Sequence, residues 1–168
     1  MKLGRKSRLS SRRGNAMVEF ALASVILFPI FIGTFQFGYS FYIYNLLTTQ
    51  IRAGARYASM RTFNCGDNKS IAKFKTAVQN MVVYGNPVPG ASDPVIVSGL
   101  TVSQIDVEIK ASDGTTDAGP SNVPATVTVT TSTDTPFTID AVFKTFSFSG
   151  HPILQFPYTG QFAPVGTE

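Results

Sequence analysis

The chain has no tryptophan, one cysteine and one histidine, and only 14% of its 168 residues are charged. With Cys65 alone, an internal disulfide and a thiolate metal cluster are both excluded. Two readings of Cys65 remain, a bridge to another chain and a partly buried free thiol. With His151 alone, no His–His metal site exists and most imidazole-based acid–base schemes fall away. Sequence signatures of common catalytic sites are missing as well. There is no G-x-S-x-G, H-E-x-x-H, phosphate-binding loop or dinucleotide fingerprint. No cofactor is expected, and the sequence reads as that of a non-enzyme.

Charge is scarce and unevenly placed. The formal net charge is +4, but Lys2, Arg5, Lys6, Arg8, Arg12 and Arg13 all precede Gly14. The remaining eight cations face ten acids, so the body of the chain is −2. A basic arm suits either nucleic acid or a membrane face. Directly before an apolar stretch it reads as the positive-inside signal that holds this end in the cytoplasm, with no nucleic-acid partner, and Arg12 and Arg13 carry the topology.

The stretch itself runs from Phe20 to Leu47 without a charged side chain. A bilayer core of about 30 Å needs about 20 helical residues. Counted from Phe20, that distance ends near Tyr39, where an aromatic group begins (Tyr39, Phe41, Tyr42, Tyr44), as at a membrane interface. A cleaved secretory signal is the rival. It requires a shorter apolar core followed by small residues, and here bulky aromatics follow. The segment therefore reads as a retained anchor in the lipid bilayer. Pro29 within it removes one backbone donor and predicts a kink or local loosening. Gly33 and Gly38 are five apart, unlike the four-residue spacing of tight helix dimers.

The helical pattern continues beyond Tyr44. Leu47, Ile51, Ala55 and Ala58 share one face and Arg52, Arg56 and Ser59 another. One helix is expected from about residue 16 to 61, its last third an amphipathic stem. Residues 64–67 predict a turn with Asp67 or Asn68 as N-cap. A second helix follows with Ile71, Phe74, Val78, Met81 and Val82 inward, and Gly85 is its stop. After the NPVPG loop the composition turns to Val, Thr and Ile. Strands are expected at 94–98, 102–111 and 125–131, with further candidates at 139–148 and 153–162. The fold class is α+β: a long N-terminal helix and stem, a second amphipathic helix, then a small antiparallel sheet. The organisation predicted is a basic leader (1–14), helix and stem (15–61) and an α+β domain (62–168). Asp106 and Glu108, two apart on a strand, read as a solvated face. Asp113, Gly114 and Asp117 lack the spacing of a cation loop and read as a turn.

The junction RRGNAMVEF, residues 12–20, carries the functional signal. Glu19 stands at the mouth of the span, where an ionisable residue is a functional hypothesis by default. Taken alone it admits two readings: a hydrated carboxylate favoured by the helix dipole, or one that pairs with a cation. Gly14 follows the basic arm and Glu19 lies five residues on, an arrangement similar to the processing site of type IV prepilins. With Pro29 in the span and the AGARYA stem (53–58), residues 12 to about 60 resemble the TadE-like pseudopilins of tight-adherence (Flp) pilus systems.

The resemblance implies cleavage between Gly14 and Asn15 by a prepilin peptidase. It also implies pairing of Glu19 with the new Asn15 amine of a neighbouring subunit, and an assembly role for Phe20 beside Glu19. It further implies a single-pass protein of the bacterial inner membrane, N-terminus cytoplasmic and domain periplasmic, acting in pilus biogenesis, adhesion and secretion. The partners implied are the peptidase, the major Flp pilin and other minor pseudopilins, the inner-membrane pilus platform and a secretion ATPase. This chain departs from the family in having Gln36, where an acidic residue often precedes the Phe-Gly late in the span. It also lacks the longer extracellular domain of a related branch. The rival from another class is an uncleaved, signal-anchored periplasmic binding module or adhesin.

Overall fold

The structure, a computed structural model, describes residues 9–64, 68–119, 122–140 and 145–163. Helix α1, Leu9–Met60, opens the chain and runs through Pro29 without interruption. It starts earlier than the expected residue 16. No proline or run of turn formers separates Leu9 from Gly14, and a single interior glycine weakens a helix by only about 1 kcal/mol. The last residues of the predicted leader are therefore helical. The chain forms two compact units, Met1–Ser40 and Phe41–Glu168.

In the first unit α1 is long and apolar enough to cross a membrane, and its most apolar window buries nothing within the protein. Phe20 is 70% exposed and Phe35 77%. That pattern belongs to a helix whose apolar face meets lipid or other helices, and not to the core helix of a soluble domain. Ser24 donates to the carbonyl of Phe20 at 2.7 Å and Thr34 to that of Ile30 at 2.9 Å. Each hydroxyl is thus satisfied one turn back along its own helix, as hydrocarbon surroundings require.

The second unit is built on the stem. Ile43, Leu47, Ile51, Ala55 and Ala58 are buried, while Asn45, Thr49, Arg52 and Arg56 are exposed. Ser59, expected on the outer face with the arginines, is 5% exposed. Its position near the helix end brings it under Thr159, whose backbone N–H reaches the Ser59 carbonyl at 2.8 Å. Strand β1, Phe63–Asn64, follows and takes in Asn64, while the rest of the turn expected at 64–67 lies outside the described residues.

Helix α2, Asn68–Tyr84, buries Phe74, Val78, Val82 and Val83. Met81, expected inward, is only half-buried and Val83 takes its place. Gly85 closes the helix with φ +70° and donates its N–H to the carbonyl of Met81 at 3.0 Å, a left-handed cap open to glycine without strain. Asp67 lies outside the described residues, as does Cys65, so both expectations made for them do too.

The predicted strand at 94–98 is a loop. Pro94 supplies no N–H, and Ile96 donates to the Val83 carbonyl at 2.9 Å instead of to a ladder. Val97 and Leu100 enter the core from this loop. Residues 102–104 form a 3-10 turn and not strand, held by Gln104 Oε1 accepting from the Thr101 N–H at 2.9 Å.

The remaining strands are β2 (Ile105–Ala111), β3 (Pro124–Thr131), β4 (Phe137–Asp140), β5 (Thr145–Phe148), β6 (Ile153–Pro157) and β7 (Phe162–Ala163). Strands β2, β3 and β6 form an antiparallel sheet in that order, β4 pairs with β5, and β1 pairs in parallel with β7. The 139–148 segment is thus two strands, and 153–162 is divided by the turn at 158–161. Alternation in β2 puts Ile105, Val107 and Ile109 inward and Asp106 and Glu108 outward. Val127 and Val129 of β3, Phe137 and Ile139 of β4, the stem and α2 complete one core.

Candidate assembly site

Gly14, Asn15, Glu19 and Phe20 lie within two turns of α1, all exposed. Asn15 and Glu19 are four apart, hence on one face and about 6 Å apart along the axis. Arg12 and Arg13 have helical backbone, and their side chains fall outside the described set. A side chain placed at Gly14 would meet nothing within 4 Å. Glu19 makes no ion pair with any described residue; the pair found among those residues is Lys110–Asp117. The structure thus presents a carboxylate on an uncovered helix face, one turn from Asn15, followed by an aromatic side chain. An exposed carboxylate in that arrangement can bind a cation offered by another chain.

Among its described residues the domain carries no comparable constellation. Among the described residues no three His, Cys, Asp or Glu side chains gather as metal ligands. A surface cleft of about 180 Å³ is lined by Arg61, Thr62, Ser70, Lys73, Phe74 and Ala77, with no carboxylate, thiol or imidazole. His151 is exposed and contributes through its backbone: its N–H donates to Thr131 Oγ1 at 3.0 Å and its carbonyl accepts from that hydroxyl at 2.8 Å.

The loop at Asp113 is a closed turn, as its spacing implied. Asp113 accepts from the N–H of Thr115 at 3.1 Å and of Thr116 at 2.9 Å, and also from the Thr116 hydroxyl. These bonds, the Thr116 hydroxyl first, hold the Asp113 carboxyl down to about 2. Lys110 and Asp117 meet at 2.7 Å, which lowers the Asp117 pKa and raises that of Lys110.

A second feature of the domain had no sequence signal strong enough to find it. Tyr158 Oη accepts from the Phe63 N–H at 2.8 Å and lies 2.7 Å from the Arg61 carbonyl and 2.8 Å from that of Gln161. Together with Thr159 on the Ser59 carbonyl, it satisfies carbonyls that the end of a helix leaves open. Neighbouring aromatic residues around 156–162 were visible in sequence, but their pairing with the stem 95 to 100 residues earlier was not.

Taken together, one helix long and apolar enough to cross a membrane, with a glycine–glutamate head, and a small α+β domain fit a single-pass anchored protein. Residues 14–56 match the family model described as TadE-like protein. The match covers the junction from Gly14 and most of the stem, about a quarter of the chain, and over that segment the chain is similar to the TadE-like proteins that the RRGNAMVEF junction and the stem resemble. The match ends at Arg56, within the stem. No curated protein and no solved structure matches the chain.

Proposed function

We propose that the protein is a pilus-assembly pseudopilin, cut after Gly14 by a prepilin peptidase and acting in Flp pilus biogenesis by helix packing and ectodomain contacts. The observation that supports it best is Glu19, exposed one turn beyond Asn15 within the segment that matches the TadE-like model. Cutting after Gly14 places a free amine on Asn15. In an assembled bundle the Glu19 carboxylate of a neighbouring chain pairs with that amine, and low dielectric makes a lone charge there expensive. The pair sets axial register between apolar helices that otherwise slide.

Because Gly14 and Asn15 sit inside α1, the peptidase must open the helix to reach the bond. Glycine is the residue at which that opening is easiest, by about 1 kcal/mol relative to alanine. The topology of this reading is a cytoplasmic basic arm held by Arg12 and Arg13, and a periplasmic domain. Its partners are the peptidase, the major Flp pilin and other minor pseudopilins, the inner-membrane platform and the secretion ATPase.

The test is the N-terminal sequence and intact mass of the protein extracted from membranes of a pilus-competent host. A mature chain beginning at Asn15 is expected. A chain that retains the arm with Gly14 would overturn the processing step and favour the uncleaved anchored module.

A further inference from the structure

The stem and the sheet each present an exposed charged surface within the domain. On the stem, Asn45, Thr49, Arg52 and Arg56 form one exposed stripe along the helix. Arg52 and Arg56 are one turn apart, about 6 Å along the axis. On the outer face of β2, Asp106 and Glu108 are exposed, two residues apart and so about 6.8 Å along the strand. The two spacings match. None of these four side chains forms an ion pair with a described residue. The β2 acids face Thr130 and Thr128 across the sheet, so no cation from β3 neutralises them. Lys110, next on the same face, is ion-paired with Asp117 and also feels the charge of Glu108, so it offsets that acid only in part.

The two surfaces also lie at one level of the domain. Gly54, between the two arginines, is packed against Val82 and the Val78 carbonyl of α2. From the same turn of α2, Gln79 Nε2 donates to the carbonyl of Ile105 at 2.7 Å. Ile105 immediately precedes Asp106. The arginines leave the common core on the helix side and the acids on the sheet side, because Ile51 and Ala55 on one element and Ile105 and Val107 on the other point inward.

We infer that the exposed stem face is a docking surface for a second copy of this chain, Arg52 and Arg56 of one subunit receiving Asp106 and Glu108 of the next. Since the two surfaces face away from each other, the contact is heterologous: each subunit uses its stem on one neighbour and β2 on the other. Repetition of such a contact builds a row or helix of subunits and not a closed dimer. The inference deepens the assembly reading above, but it uses neither Gly14 nor Glu19. It is therefore scored separately from the N-terminal mass.

The test uses full chains reconstituted in phosphatidylethanolamine–phosphatidylglycerol vesicles, with Cys65→Ser in every variant. R56C and E108C chains, separately tagged, are mixed and oxidised. A mixed disulfide dimer at least about tenfold above either variant alone is expected, and it should fall several-fold at 1 M salt, where the Debye length is about 3 Å. An R56C-only dimer of equal yield would mean stem-to-stem packing and overturn the proposal, as would the absence of a mixed dimer. Charge reversal supplies the second arm. R52E/R56E and D106R/E108R should each lose oligomers larger than a dimer when alone and regain them when mixed. Failure of the mixture to recover, with each variant folded by its thermal transition, overturns the inference.

Discussion

Gly54 on the stem lies against Val82 on α2 so closely that a Cβ at residue 54 would run into the Val82 Cγ2 methyl and stand 3.5 Å from the carbonyl of Val78. Val82 is fully buried and, being β-branched in a helix, has one strongly preferred rotamer. The methyl therefore has nowhere to turn, and the helices would have to separate. Gly54→Ala is expected to destabilise the domain by about 1–3 kcal/mol, as overpacking of a well-filled core does. For a domain of about 100 residues each kcal/mol lowers Tm by about 4–8 °C. Thermal unfolding of the detergent-solubilised chain measures it. Val82→Ala in the Gly54→Ala background should recover part of the loss, a coupling that independent sites would not show.

The stem is tied at its other end by Tyr158. Its hydroxyl is the acceptor for the Phe63 N–H and lies within hydrogen-bonding distance of the Arg61 and Gln161 carbonyls. Tyr158→Phe removes it while retaining the ring that packs edge-on near Phe63 at 6.4 Å between centroids. The Phe63 N–H keeps the Gln161 carbonyl at 2.9 Å, so the loss falls on the carbonyls. A cost of about 0.5–1.5 kcal/mol is expected. Hydrogen exchange should quicken at residues 59–63 and stay unchanged in β3.

What was legible before the structure divides along the range of the interactions involved. The span, the inward face of the stem and the outward Asp106–Glu108 alternation follow from local periodicity, which is written in neighbouring residues. The cap at Gly85 is equally local. The strand expected at 94–98 failed because alternation of Val and Ile is satisfied as well by a loop that drops Val97 into the core. The helix start expected near residue 16 failed because nothing between Leu9 and Gly14 breaks a helix. The tie between Ser59 and Thr159 and the close approach at Gly54 depend on residues distant in sequence. In the head itself, the order of Gly14, Asn15, Glu19 and Phe20 was legible as a motif, since all four lie within two turns of one helix.

Asp113 offers a pH measurement with a defined sign. Its carboxyl titrates at about 2 in the folded loop, against an ordinary 3.8, because the Thr116 hydroxyl and the Thr116 and Thr115 amides favour the charged form. A depressed folded pKa stabilises the turn above the unfolded value, and that contribution fades as pH falls from about 4 through 2. The loop should be indifferent to pH between 7 and 5. Thr116→Val removes the hydroxyl bond to Asp113 and should raise the Asp113 titration midpoint, read from its carboxyl carbon resonance, toward 3.8. A midpoint unchanged at about 2 would show that the amides alone hold the charge.

Glu19 is tested most sharply through its dependence on the cut. If its role is to meet a neighbouring Asn15 amine, the carboxylate matters only in processed protein. In vesicles, association of chains beginning at Asn15, followed by energy transfer between labelled copies, should weaken about 10- to 100-fold on Glu19→Ala. That is the range for one hydrogen-bonded charge worth about 1.5–3 kcal/mol. The same substitution in chains that retain residues 1–14 should change association less than about twofold, since no amine is present at Asn15 to lose. A role for Glu19 in the helix dipole, by contrast, acts within one chain and would appear as lost helicity in dilute, unassociated chains, with association between chains unchanged. Equal losses of association in the two backgrounds would remove the Asn15 amine as the partner of the carboxylate.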